Sequence, residues 1–254
     1  MEYVKPVLDV DVISLFPEMF DALSSSIPGR ASSKGRLVVR VHNPRDETED
    51  LHRTVDDAPY GGGGGMVLMP EPVFRTVERV REHYGDGRVL LMSPQGARLT
   101  QKTVERLAKL DHWIVICGHY KGVDERIRDH LVDEEVSIGD YVVSGGELPA
   151  MILIDAAVRL IPGVVGNAAT VASDSMTTEL LDHPHYTRPA LFRGWSVPDI
   201  LLSGNHKEVE LWRRRKRLER TMKRRPELLD DALLNESDIE YLKQHGWSTL
   251  KEDR

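Results

Sequence analysis

The chain has 254 residues, 40% hydrophobic and 30% charged, a balance that excludes a collagen-like or disordered chain and fits one large domain or a medium domain plus a small one. Its one cysteine, Cys117, excludes an intrachain disulfide and a cysteine-only zinc site and suits a reducing cytosol, so a cytoplasmic location is expected. The net charge of −7 argues mildly against a nucleic-acid partner, yet over residues 206–225 ten Lys/Arg stand against three Glu, which makes that segment +7 and the remainder −14. Glu2, Asp9 and Asp11 interrupt the apolar residues of 1–16, unlike a secretory signal. The longest apolar stretch, 148–161, is broken by Asp155 and Arg159 and is too short to span a bilayer, so no membrane partner is expected.

In chain order, residues 7–15 read as a strand, with Val10 and Val12 alternating against Asp9 and Asp11. Pro17 opens a short helix, and the β-branched run 37–41 is a second strand. The polar stretch 43–66 ends in five glycines and reads as a long loop, of a length that is usually functional. Helix 71–83 stops near Gly85. Then come strand 88–92, helix 100–110, strand 113–117, helix 123–131, short strands at 136–138 and 141–143, and the apolar helix 147–161. The alternation predicts an α/β domain with a largely parallel sheet over residues 1–162. Residues 163–182, rich in small and polar side chains, read as a flexible linker or lid. From 183 to 254 no strand is expected. A helical turn at 198–203, a long basic helix capped by Asn205 and ending before Pro226, and helices at 226–234 and 237–245 make a small all-helical domain.

Three glycine-containing loops each follow a strand: Ser93-Pro94-Gln95-Gly96, Gly118-His119-Tyr120-Lys121-Gly122 and Ser144-Gly145-Gly146-Glu147. In open parallel sheets ligands bind beyond the C-terminal ends of strands, and glycine lets a backbone approach them closely. The plain alternative is three ordinary strand-to-helix turns. Gly61 to Gly65 is no P-loop, since no Lys-Ser/Thr follows, and it lacks the dinucleotide spacing. That disfavours a nucleotide triphosphatase or a nicotinamide enzyme. Neither a Gly-x-Ser-x-Gly elbow nor His-Glu-x-x-His is present. His183 and His185 flank Pro184, too few ligands for an ordinary zinc site, and no metal site is assigned. On the basic helix, Leu211, Leu218 and Met222 give a packed side, which leaves the charges readable as a solvated face. Arg213 to Arg217 are nevertheless five consecutive cations, whose mutual repulsion a phosphate backbone relieves. Arg213, Arg214 and Arg215 are the expected contacts.

A further set of motifs runs in order from Val10 to about Leu229. It comprises Asp57-Ala58-Pro59-Tyr60-Gly61-Gly62-Gly63-Gly64-Gly65-Met66, the loop at Ser93, Cys117-Gly118-His119-Tyr120-Lys121-Gly122-Val123-Asp124-Glu125-Arg126, and Ser137-Ile138-Gly139-Asp140-Tyr141-Val142-Val143-Ser144-Gly145-Gly146-Glu147-Leu148-Pro149-Ala150. Ile161-Pro162-Gly163-Val164, His183-Pro184-His185-Tyr186-Thr187-Arg188-Pro189 and Leu202-Ser203-Gly204-Asn205-His206 complete it. Each is weak alone; the ordered set resembles the bacterial tRNA (guanine-N1)-methyltransferases of the TrmD type, in the SPOUT superfamily. The resemblance implies a deep trefoil knot in the α/β domain, with S-adenosylmethionine bent into it and held by the three loops. It also implies an obligate homodimer with shared active sites, and formation of N1-methylguanine at tRNA position 37, beside the anticodon.

Carried over residue by residue, the resemblance implies cofactor contacts at Met92, Ser93, Pro94, Gly118, Ile138, Gly139, Asp140, Tyr141, Val142, Val143, Gly145, Gly146 and Pro149. It implies a general base at Asp174 and a guanine-assisting arginine at Arg159. Without it, Asp174 is a turn residue and Arg159 a helix-end cation. The partner implied for Arg213, Arg214 and Arg215 is the anticodon stem-loop. This chain departs from the family's Cys-Gly-Arg-Tyr-Glu-Gly loop at His119 and Lys121. The family's acid lies close to the target base, so Lys121 reverses the charge there and leaves a magnesium role open. Two other readings stand beside this one: a SPOUT methyltransferase acting on a different RNA, and a non-catalytic RNA-binding protein. Whole cofactor loops and the acid at Asp174 favour catalysis.

Overall fold

The computed structural model describes residues 8–165 and 180–247, and the chain divides into two units, Met1–Gly166 and Asn167–Arg254. The first unit runs through β1 (Leu8–Ile13), α1 (Ser26–Ser33), β2 (Leu37–His42), the two-residue strands β3 (Asp56–Asp57) and β4 (Val67–Leu68), and α2 (Pro70–Tyr84). It continues through β5 (Arg88–Arg98), α3 (Gln101–Leu107), β6 (His112–Cys117), α4 (Glu125–His130), β7 (Glu134–Ser137) and α5 (Glu147–Val158). Five strands pair in parallel in the order β2-β1-β6-β5-β7, and β3 pairs with β4 separately. In β6, Trp113, Val115 and Cys117 enter one core, with Ala31 of α1, Leu107 of α3 and Leu153 of α5. Ile114 and Ile116 enter the other, with Val73 and Val77 of α2 and Ile127 of α4. A parallel sheet buried on both faces requires this two-sided hydrophobicity.

One carboxylate is buried among these strands. Asp11 accepts from Arg40 Nε at 2.8 Å, and the Nε2 atoms of His42 and His112 lie 2.6 and 2.7 Å from its oxygens. Burial works against its charge, but these three partners hold the carboxyl well below the usual range.

Several expected elements have different bounds. Asp124 caps α4 by accepting from Arg126 N, and Thr100 caps α3, so both helices begin later than their apolar pattern. The apolar helix ends at Val158, and β5 runs on to Arg98. The stretch 43–66 is not all loop, since Asn43 caps a 3-10 turn at Pro44–Glu47 and β3 lies within it. Residues 141–143 are not a strand. β7 stops pairing with β5 at Ser137, and Tyr141, Val142 and Val143 are exposed on the loop that follows.

The second unit holds β8 (Leu191–Phe192), β9 (Trp195–Ser196), α6 (His206–Arg224) and α7 (Glu236–Gln244). The expectation of an all-helical unit is therefore corrected, because β8 and β9 form an antiparallel hairpin. Arg193 and Gly194 have φ of 50° and 85°, and positive φ at both central residues is what a type I′ hairpin turn needs. The expected helix 226–234 is a 3-10 turn, Pro226–Asp230. Asn205 caps α6, and Asn235 with Asp238 forms a capping box on α7. Leu180, Leu218, Leu229 and Leu242 make this unit's small core. Among the described residues, no helix is long and apolar enough to cross a membrane.

Candidate cofactor site

A cavity of about 300 Å³ opens at the C-terminal ends of β6 and β7, beside the arch in the middle of β5. Three loops build it. In β5 both Met92 and Ala97 oppose Val136, so the four residues between them, Ser93 to Gly96, arch out of the sheet. The loop after β7 is laced to the loop after β6: Gly146 N donates to Gly118 O at 2.8 Å, and His119 bridges Gly145. The lacing is tight because of a missing side chain. A Cβ on Gly146 would stand 2.6 Å from Cys117 Cα and 2.9 Å from Gly118 N. The glycine-rich segment is anchored beside the same loop, with Lys121 N donating to Met66 O and Leu68 N to Gly122 O. The aliphatic stem of Lys121 lies along Gly65.

All of the expected cofactor contacts except Asp140 line this cavity: Met92, Ser93, Pro94, Gly118, Ile138, Gly139, Tyr141, Val142, Val143, Gly145, Gly146 and Pro149. Asp140 is not on the wall, and its carboxylate pairs with Arg98. Leu91, Val123 and Val136 also line it and were not expected. Their only sequence signal is their place at strand ends beside the loops. His119 and Lys121, where this chain departs from the family's loop, both face the cavity. His119 packs between Phe16 and Tyr120, and its buried Nδ1 has no hydrogen-bond partner among the described residues. Arg128 reaches the wall but is paired with Glu135 and Glu125, whereas Lys121 has no ion pair among the described residues. Behind the wall, Glu147 is buried and accepts from Ser14 Oγ at 2.8 Å. Cys117 is buried beside it. Burial pushes its thiol well up, and the Glu147 carboxylate pushes the same way.

Of the two expected catalytic residues, Arg159 is not on this wall. Arg159 is the C-cap of α5, ten residues beyond Pro149, which is about 15 Å at the helical rise. Asp174 lies outside the described residues.

On α6, Arg214 donates to the buried Asp238 at 2.7 Å and to Leu233 O. Its charge is thus engaged in holding α7. Arg213 pairs with Glu210, and Arg215 lies over the Tyr241 ring. Lys207, Arg215, Lys223 and Arg224 are exposed and make no ion pair among the described residues. Asp182, His183 and His185 present ligand atoms within 4.8 Å of one another. However, Arg217 Nη2 donates to Asp182 at 3.0 Å and His185 Nε2 at 2.7 Å. Burial opposes the charge on Asp182, yet His185 and Arg217 hold its carboxyl down at about 2.

Comparison with known proteins bears on both units. The family model described as tRNA (Guanine-1)-methyltransferase TrmD matches residues 8–231. The tRNA (guanine-N(1)-)-methyltransferase of Bacillus cereus strain G9842 is 53% identical over 239 residues, covering 93% of this chain and 98% of its own. That of Bacillus anthracis strain CDC 684 / NRRL 3495 is 52% identical over the same length, with the same shares.

Proposed function

The chain belongs to the TrmD family of tRNA (guanine-1)-methyltransferases, and we propose that it transfers the methyl group of S-adenosylmethionine to N1 of guanine at tRNA position 37. One observation carries this reading: the loops bearing the family's motifs at 93–96, 118–122 and 138–146 close a single cavity at the ends of β6 and β7, beside the arch in β5. The cavity suits an adenosyl group. Leu91, Met92, Val123, Val136, Ile138 and Pro149 give apolar surface, and the glycine backbone gives amides and carbonyls without side chains in the way. A Cβ on Gly118 would meet Met92 O and Val123 Cγ1 at ordinary contact distances of 3.6 and 3.9 Å, so that position is not tightly packed. A knotted course is supported by β7. It pairs on the side of β5 away from β6, yet the chain after it returns across β5 to bond Gly118 at the end of β6.

S-adenosylmethionine, when bound, supplies a methyl group already activated on a sulfonium. The chain's own task is then positioning and proton removal. Guanine N1 carries a proton near neutral pH and is a poor nucleophile until it leaves. Asp174 takes that proton, and Arg159 stabilises the negative charge that builds on O6. As N1 bonds the methyl carbon, the carbon–sulfur bond breaks and its electron pair stays on sulfur. Because Arg159 stands about 15 Å from Pro149 along α5, we assign it to the cavity of a second copy, in a homodimer with shared sites. The exposed apolar side chains Leu148 and Ile152 on α5 suit such an interface. With Lys121 in place of the family's acid, this loop offers a divalent ion no carboxylate, and magnesium is assigned no residue here. Residues 1–162 hold the cofactor, 163–182 carry the base, and 183–254 grip the anticodon stem-loop.

The direct test incubates the purified protein with labelled S-adenosylmethionine and unmodified tRNA transcripts bearing guanine or adenine at position 37. Label in the guanine transcript alone is the expected result, and label in neither defeats the reading. Two further results are expected. Gly146→Ala forces backbone against backbone, an overpacking that costs about 1–3 kcal/mol. Donor affinity measured by titration calorimetry should fall roughly 10- to 100-fold. Reversing Arg215, Lys223 and Arg224 to Glu should weaken tRNA binding and lower the slope of log K against log salt by about 0.9 per lost phosphate contact, with donor affinity intact. An unchanged slope would make those charges a solvated face.

A further inference from the structure

The second unit has a cavity of its own, of about 460 Å³, enclosed by the segment His183 to Arg188, the root of the β8–β9 hairpin and the start of α6. That volume is within the range of small-ligand sites, roughly 300–1,000 Å³. Its lining includes apolar side chains, Val197, Leu201, Leu202 and Val209. The same lining carries His183, His185, Arg188 and Arg213. The Nε of Arg213 is buried and has no acceptor among the described residues, although its Nη1 pairs with Glu210. Buried donors are nearly always bonded, so an orphan at a cavity wall marks a place for an acceptor from outside. His183 lies in an aromatic cluster, its ring 4.3 Å from that of His185 and 6.4 Å from that of Trp212, tilted by 46° and 57°. Burial, with His185 and Arg213 nearby, pushes its imidazole below the ordinary value, which favours the neutral ring.

These features together define the ligand. A metal ion is disfavoured, because the two carboxylates at this site among the described residues are already engaged, Asp182 by Arg217 and His185 and Glu210 by Arg213. What fits is an anion joined to a flat, partly apolar body. The hairpin rooted on the cavity wall, where Val197 N donates to Ala190 O, carries Phe192 and Trp195 largely exposed at its tip, with Arg193 over the Phe192 ring. Exposed aromatics beside cations are the means by which proteins hold unstacked bases.

We propose that this cavity seats one unstacked nucleotide of the RNA substrate, other than the target guanine, with its phosphate on Arg213 and Arg188 and its base against Leu201, Leu202 and Val209. The inference rests on the reading of the chain as a tRNA methyltransferase and gives its second unit a defined grip on the RNA, beyond a diffuse positive charge.

The test uses the full-length protein saturated with S-adenosylhomocysteine, so that nucleotides do not enter the first cavity. Guanosine 5′-monophosphate, guanosine and inorganic phosphate are each titrated while the imidazole resonances of His183 and His185 are followed by NMR. The monophosphate should shift both histidines at lower concentration than either fragment. Arg213→Gln, which removes the charge, and Ala190→Trp, which blocks the mouth from an exposed position, should each abolish the shift. In the methylation assay both variants should raise KM for tRNA roughly tenfold, the worth of one seated nucleotide, with kcat and donor affinity unchanged. No shift with the monophosphate, equal response to phosphate alone, or wild-type KM in both variants would overturn the proposal. If the unmodified protein methylates no tRNA, the methyltransferase reading falls, and the titration still decides whether the cavity takes a nucleotide.

Discussion

Asp174→Asn is expected to lower kcat by roughly 10²–10⁴-fold, the usual worth of a positioned general base. The amide keeps the size of the side chain and most of its hydrogen bonds but cannot accept the proton of guanine N1. Donor affinity should hardly move, because the cavity at the ends of β6 and β7, beside the arch in β5, is built from other residues. The pH profile separates this from a structural role. With a base, the rate falls at low pH as the carboxylate protonates, and the amide variant loses that limb. A residue that only caps a turn or helix would show a stability change of about 0.5–2 kcal/mol with chemistry largely intact. Near-wild-type kcat in the folded variant would leave catalysis to Arg159 and positioning.

Two damaged chains should repair each other. Gly146→Ala disrupts the cofactor cavity but keeps Asp174; Asp174→Asn keeps the cavity but lacks the base. With the donor held well below the Kd of the Gly146→Ala cavity, each homodimer should be nearly inactive. In the heterodimer, purified through two different tags, the intact cavity of one chain meets the intact Asp174 of the other. One of two symmetric sites is then whole, and about half the wild-type activity should return. If each chain serves its own cavity, no site in the heterodimer is complete and activity stays at the homodimer level. Repeating the experiment with Arg159→Ala in place of Asp174→Asn tests whether both residues cross together. Sedimentation that finds only monomer at micromolar concentration would remove the shared site altogether.

Strands with strong apolar periodicity are legible in the sequence. β2 and β6 come out almost residue for residue, because a strand buried on two faces leaves an unbroken apolar run. α1 is not foreseen, since Pro28 and Gly29 sit in its middle and only Pro28 and Ala31 are buried. The run Tyr141-Val142-Val143 looks like a strand but is an exposed cavity rim. There apolar side chains face a ligand site, and alternation alone cannot distinguish that from a core. The hairpin is hidden in Arg193-Gly194, a weak signal beside Asn-Gly. Charge counting locates the basic helix but misses that Arg214 belongs to Asp238, a partner 24 residues away. The motif loops come through best, because glycine at a backbone crossing leaves a mark that pattern reading can follow. Gly146 is the clearest instance.

Cys117 is the chain's sole sulfhydryl, fully buried at the end of β6, with its thiol held in the protonated form. Alkylating reagents attack the thiolate, so in the closed state this chain should be silent to iodoacetamide. Modification then proceeds only through transient separation of the strand end from the loops around it, and its rate is a clock for that opening. An occupant of the neighbouring cavity should slow the clock. For the same reason, a cysteine introduced anywhere on the surface should take a fluorophore with no background from the native one.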